Sequence, residues 1–188
     1  SLTNSAGGRF AIDSNTGVIT VANSSLFDFD TASSHSITVQ AKDAGDLTVS
    51  ATFTIAVVNV APSTPLDTHA SVNSVAEGAA AGTLVGLTVG SSDPAGGTLT
   101  YLLSENAGGR FAINSTSGVV TVADGSLLDH DTATSHTVTA VATDAGGLSS
   151  SATFTITVTN VSPSVPTDGN PGSNTVAEGA ASGTVVGV

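Results

Sequence analysis

The side chains that could do chemistry here are carboxylates: the chain carries 15 Asp and Glu against 3 Lys and Arg, a formal net charge of −12. Many recur at a fixed spacing. Asp28, Asp43 and Glu77 return 101 positions later as Asp129, Asp144 and Glu178. Carboxylates in this excess suit two roles, holding cations and keeping a long chain soluble. They oppose binding to nucleic acid or anionic lipid, whose phosphates need basic partners. Cysteine is absent, so no thiolate zinc site and no disulfide is available. His130 stands between Asp129 and Asp131, which invites a metal or acid–base role, but Phe29 fills the matching position, so the recurring unit does not share it. His35 and His136 do match, each at the start of an expected strand, and read as hydrogen-bonded structural histidines. No serine lies in Gly-x-Ser-x-Gly, and no Ser-His-Asp set follows from the spacing. Asp144-Ala145-Gly146-Gly147 lacks the Gly-Lys-Ser/Thr of a phosphate cradle. The chain reads as non-enzymatic. Arg9 and Arg110 each follow Gly-Gly and precede Phe, and are expected to bridge a nearby carboxylate and fix the loop. Tyr101 is the one tyrosine and tryptophan is missing, which argues against stacking sugars on aromatic faces. Asn23-Ser24-Ser25, Asn114-Ser115-Thr116 and Asn160-Val161-Ser162 match the glycosylation pattern, as abundant serine and threonine produce by chance.

These carboxylates must be held by strands. Gly7-Gly8-Arg9-Phe10-Ala11-Ile12-Asp13 returns, without a gap, as Gly108-Gly109-Arg110-Phe111-Ala112-Ile113-Asn114. A long period held this way means tandem copies of one unit. At about 100 residues the unit is large enough to fold alone. In Thr153-Phe154-Thr155-Ile156-Thr157-Val158 the apolar side chains fall on one face and the threonines on the other, and Thr52 to Val57 repeats the pattern. His136–Ala142, Gly118–Val122, Thr98–Leu103 and Thr83–Val89 are further strand candidates, rich in β-branched residues. Turn signals separate them, among them Asp93-Pro94-Ala95-Gly96-Gly97, Asn106-Ala107-Gly108-Gly109 and Asp124-Gly125. No stretch has helical periodicity. The pattern predicts an all-β fold, a tandem array of immunoglobulin-like β-sandwiches with a period of 101 residues. Residues 65–165 are then one complete unit, 1–64 the C-terminal part of a preceding one, and 166–188 the N-terminal strands of a following one. The proline-bearing segments Asn59–Pro65 and Asn160–Pro166 end the strands and link the units stiffly, so that they stack end to end.

Four motifs then resemble cadherin repeats, in the form found in very large bacterial surface proteins. Val75-Ala76-Glu77-Gly78 resembles the opening strand with its glutamate. Gly109-Arg110-Phe111-Ala112-Ile113-Asn114 through Ser117-Gly118-Val119-Val120 resembles the Phe-x-Ile-Asp…Thr-Gly-x-Ile segment. Leu128-Asp129-His130-Asp131 stands where cadherins place Leu-Asp-Arg-Glu, and Ala142-Thr143-Asp144-Ala145-Gly146 resembles the Ala-x-Asp-x-Gly turn. The resemblance implies weakly bound calcium between units. Calcium takes six to eight oxygens, several from carboxylates whose mutual repulsion it relieves. Carried over by position, the first junction would use Asp28, Asp30, Asn59, Asp93 and Asp144, and the second Glu77, Asp129, Asp131 and Asn160, with Asp67 and Asp168 as further candidates. The family pattern is incomplete. Of the linker Asp-x-Asn-Asp-Asn only Asn59 and Asn160 are present, the Asp-x-Asp loop has shrunk to Ser91-Ser92-Asp93, and Asp30 and Asp131 replace the longer Glu.

The absence of methionine suggests a processed or excised piece. The outermost positions, Ser1 (matching Leu102) and Val188 (matching Leu87), fall inside expected strands, which reads as a window on a longer fibre; donation of the tail of one chain to the head of the next is the alternative. The sequence has neither a signal peptide nor an apolar run of about 18 residues, so no membrane insertion is expected. The resulting expectation is an extracellular, cell-surface or secreted structural spacer of a bacterial adhesin, fibre or biofilm matrix. Its partners would be other copies of the repeat, head to tail, and cell-surface or matrix components. A module for cell–cell or self-association, homophilic or glycan-binding, is the alternative, and an accessory domain of a large secreted hydrolase a third reading.

Overall fold

The computed structural model describes residues 1–170 and 172–187. Thirteen strands form, and the only helical turns among the described residues are the short 3-10 turns Ser24–Leu26 and Gly125–Leu127. No helix is long and apolar enough to cross a membrane.

The buried hydrophobic cluster spans Val75 to Val158, with Phe10 and Ile37 buried apart from it. One sheet has β6 (Leu66–Asp67), β8 (Leu84–Gly90), β11 (Val119–Val122) and β10 (Phe111–Ile113), in spatial order β10-β11-β8-β6. The other has β7 (Ser74–Ala76), β13 (Ser149–Thr159), β12 (Ser135–Thr143) and β9 (Thr100–Glu105), in order β7-β13-β12-β9. The inward faces meet as a sandwich. Val85, Leu87 and Val89 alternate along β8 and are at most 1% exposed; Val138 and Ala140 on β12 and Ile156 on β13 are fully buried. The period-two pattern therefore sorts as the sequence predicts, with apolar residues inward and threonines outward on β13. Pairing is antiparallel except for β7, which lies parallel to β13 with Ser74 opposite Thr157.

Residues 2–56 hold the remaining strands. Strands β1 (Leu2–Asn4), β4 (Ser34–Lys42) and β5 (Thr48–Ala56) form one sheet, and β2 (Phe10–Ile12) pairs with β3 (Ile19–Val21). Registers correspond: Phe10 faces Val21 as Phe111 faces Val122, and Ile37 faces Phe53 as Val138 faces Phe154. Burial corresponds only in part: Ile37 and Val138 are both fully buried, and Phe10 and Phe111 nearly so. Val21 is 59% exposed and Val122 2%. Beside Val122 strand β11 is flanked by both β10 and β8, whereas β3, beside Val21, pairs with β2 alone.

The tail differs from the expectation of strands at Thr175–Glu178 and Thr184–Val186: none forms among the described residues. The loop between them does. Ala180 N–H donates to Ala177 O (3.2 Å) and Thr184 N–H to Ala181 O (3.1 Å), as Ala79 does to Ala76 (3.3 Å) and Thr83 to Ala80 (3.1 Å). Turn bonds are local. A strand needs a neighbour, and among the described residues none pairs with 175–177 as β13 pairs with β7.

Candidate functional site

The expected first junction is drawn together by the segment that joins the two halves. Residues 57–60 leave β5 and run beside the loop before β4 and the turn at 93–95. Asp28, Asp30, Asn59 and Asp93 line one hollow with Phe27, Phe29 and Pro94. Asp144, just past β12, is tied to it through Asn59, whose Nδ2–H donates to Asp144 Oδ2 at 3.1 Å. Asp144 is the one buried charged side chain among the described residues, 5% exposed, and its Oδ1 accepts Leu148 N–H at 2.8 Å. A buried carboxylate requires such donors.

Each acid has a local occupation. Asp28 Oδ1 accepts Asp30 N–H (2.9 Å) and Thr31 N–H (3.3 Å), and its Oδ2 accepts the Thr31 hydroxyl (2.7 Å). The Thr31 hydroxyl, with the backbone bonds behind it, holds the Asp28 carboxyl below the ordinary aspartate range. Asp93 Oδ1 accepts Ala95 N–H at 2.7 Å. Asp30 behaves oppositely. Shielding of its carboxyl from water, then the charges of Asp144, Asp28 and Asp93, push its pKa up, against the Ala145 N–H. Asp30 is exposed as a whole, so solvent screens much of this repulsion.

The residues expected at the second junction are only partly brought together. Glu77, past the end of β7, accepts Val161 N–H on Oε1 (2.7 Å) and His130 N–H on Oε2 (3.0 Å). These two backbone donors lower its pKa. Asp129 repeats Asp28, accepting from Asp131 N–H (2.9 Å), Thr132 N–H (3.3 Å) and the Thr132 hydroxyl (2.7 Å). Asp131 is exposed, with His130 Nδ1 3.9 Å away, and Asn160 is exposed. Asp67 pins β6 to β8 by accepting Thr88 N–H at 3.3 Å, and Asp168 is bonded within its own segment, to Asn170 N–H (2.9 Å) and Asn174 Nδ2 (2.7 Å). Among the described residues no three His, Cys, Asp or Glu side chains gather closely enough to hold a metal ion. The donors surrounding Asp28, Asp129, Asp144 and Glu77 are N–H and O–H groups, so the residues do not fit a preformed calcium cage.

Two expectations are corrected. Arg9 and Arg110 bind no carboxylate: Arg110 Nε donates to Leu127 O (2.8 Å) and Nη1 to Ala107 O (2.7 Å), and Arg9 does the same to Leu26 O (2.9 Å) and Ala6 O (2.8 Å). Ala107, Gly108 and Gly109 all have positive φ (58°, 66° and 92°), a turn that leaves the Ala107 carbonyl without a backbone partner. The guanidinium fills that vacancy. His35 and His136 sit where expected, yet Nε2 of each is buried without a hydrogen bond. Their rings lie against aromatics instead, His35 5.8 Å from Phe27 and His136 6.4 Å from Phe111. Sequence reasoning missed the hydroxyls of Ser63, Ser91, Ser92 and Ser150, which bond the linker to the sandwich. In a chain rich in serine, nothing in the sequence separates these four from the rest.

Strands β7 to β13, with the parallel β7–β13 pair and the Glu77 bond to His130, fall inside the span matched by one family model. Residues 71–159 match the Cadherin domain. Cadherin-family relatives extend the likeness over more of the chain. Human cadherin-related family member 2 is 32% identical over 83% of this chain, and mouse protocadherin Fat 4 is 34% identical over 95% of it. The chain spans only 12% and 4% of those relatives. Among solved structures, protocadherin gammaB7 EC3-6, a cis-dimer structure, aligns at 29% identity over 86% of this chain and 40% of that one, with a TM-score of 0.49. Mouse cadherin-23 EC22-24 aligns at 28% identity over 86% of this chain and 52% of that one, with a TM-score of 0.47.

Proposed function

We propose that this chain is a run of tandem cadherin-like repeats serving as a non-catalytic extender in an extracellular bacterial adhesin or fibre. Residues 65–165 are the complete repeat, with 1–64 and 166–188 belonging to its neighbours. The work is mechanical: stacked sandwiches hold a distal part of the protein away from the surface, and the partners of each repeat are further copies, head to tail. The tie between the Asn59–Pro65 linker and the cadherin domain carries the reading. Asn59 bonds Asp144, and Ser63 N–H donates to Ser92 O at 2.9 Å. Pro62 and Pro65 are buried against the domain. A linker fixed at several points transmits direction, whereas a free one does not.

Calcium enters as the ion that the cadherin likeness implies. Asp28, Asp30 and Asp93 would attract it to the first junction, weakly, because few of their oxygens point to a common centre. Self-association is the second reading. Phe53 (50% exposed) and Val49 (70% exposed) on β5 favour it, being larger apolar side chains than a solvated sheet face normally shows.

Small-angle X-ray scattering on chains of two, three and four repeats tests the extender. Its maximum dimension should grow by an equal step per repeat. A dimension that levels off, or a concentration-dependent mass, would discard the spacer in favour of a folded-back or self-associating module.

A further inference from the structure

We propose that the first junction closes by direct hydrogen bonds from the linker, with no cation required, and that Asn59 on Asp144 is its pin. The inference rests on the extender reading and departs from the calcium that the cadherin likeness implies.

The comparison that carries it lies within the chain. Asp43 and Asp144 occupy the same place in the same turn, and each carboxylate caps it in the same way: Asp43 Oδ1 accepts Leu47 N–H at 2.9 Å, and Asp144 Oδ1 accepts Leu148 N–H at 2.8 Å. Asp43 is exposed and Asp144 buried. What differs is the arrival of Asn59, whose amide donates to the second oxygen of Asp144 at 3.1 Å. A carboxamide donates where an aspartate could not, so the linker residue is matched to a carboxylate and not to a shared cation.

The serines extend the clasp. Ser92 N–H donates to Ser63 Oγ at 2.9 Å, and the Ser91 hydroxyl to Ser63 O at 2.5 Å. The Ser150 hydroxyl donates to Pro62 O at 2.6 Å. Ser91 and Ser92 stand where the resemblance expects an acidic loop, and here Ser91 donates to the linker backbone and Ser92 to the Ser63 hydroxyl. Gly146 lets the two sides approach: a Cβ there would strike the Asn59 amide and come within 3.1 Å of the Phe29 ring. Asp28, Asp30 and Asp93 remain around the hollow without taking part in these bonds, so an ion bound there would screen their repulsion but would not be what shuts the joint.

The test is limited proteolysis of the 59–65 segment in the full 188-residue chain, with calcium and with chelator, read beside X-ray scattering. The wild type should be cleaved at the same rate in both, within about twofold. Asn59→Asp should raise cleavage about tenfold or more in chelator, the scale of one lost charge-assisted bond, and calcium should reverse much of that. Gly146→Ala, which alters no charged group, should raise cleavage in both conditions. A wild-type segment that is protected only in calcium overturns the inference while leaving a calcium-stiffened rod standing. A segment open in both conditions, with a bent scattering envelope, overturns the inference and the rod together.

Discussion

At the scale of single residues, the guanidinium of Arg110 does what its neighbours in sequence did not announce. Its two bonds to the Leu127 and Ala107 carbonyls hold a turn made of three consecutive positive-φ residues to the 3-10 turn that follows β11. Arg110→Ala leaves both carbonyls without that donor, and thermal unfolding should report a loss of about 1.5–3 kcal/mol, the range for hydrogen bonds with a charged partner. His136 sets an acid limit. Burial, and then the Arg110 charge, lower its pKa below the ordinary histidine value. The fold therefore prefers the neutral ring: the stability is intact above the unfolded pKa of about 6.5 and is lost as pH falls from there through the lower folded value. Melting temperature should decline across that window, and His136→Phe should flatten the decline. A wild type with a level profile between neutral pH and the onset of carboxylate titration would remove His136 from the account.

At the scale of elements, the hairpins were legible because their information is local. Alternation named β5, β8, β12 and β13 to within a few residues, and the glycine-rich turns fell between strands as expected. The short strands β6 and β7 were harder to read. Two or three residues hold too little pattern, and each exists through bonds to a distant partner, β6 to β8 and β7 to β13. Gly17 and Gly118 show the same division. Both turns place glycine at positive φ, 75° and 69°, which the local sequence demands. Only at Gly118 would a Cβ overlap the Val89 carbonyl on β8; around Gly17 nothing lies within 4 Å. Gly17→Ala should cost about 1–2 kcal/mol, the left-handed conformation alone. Gly118→Ala should cost clearly more, because β8 must also move. Equal melting shifts for the two variants would show that the contact with β8 is unimportant.

At the scale of the whole molecule, Asp28, Asp30 and Asp93 of the first expected junction line one hollow without closing into a cluster, while the residues expected at the second are divided between Glu77, bonded to backbone N–H groups, and exposed Asp131 and Asn160. The sequence puts both sets on equal terms, since a place in a recurring pattern cannot say which side chains pack across from it. Asp30 makes the consequence measurable. Its raised pKa means that the folded joint disfavours this charge, so stability is greatest below the ordinary aspartate range and falls as pH rises through the elevated folded value. Asp30→Asn should therefore leave the melting temperature at neutral pH in chelator unchanged or higher. A lower one would mean that the carboxylate makes a favourable contact with the Ala145 N–H that outweighs its repulsion by Asp28, Asp93 and Asp144.

Sequence alone determined the hairpins, turns and caps, because hydrogen bonds within them depend on residues a few positions apart; Asp28 and Asp129 make the same bonds to Thr31 and Thr132 in both halves. Tertiary structure decided burial. Val122 is covered and Val21 is not, and Asp144 is enclosed while Asp43 faces water, although each pair has the same side chain in the same turn or strand. Removal from solvent is a property of what packs across from a residue, and in this chain β8 pairs with β11 beside Val122 and Asn59 arrives at Asp144, whereas β3 pairs with β2 alone.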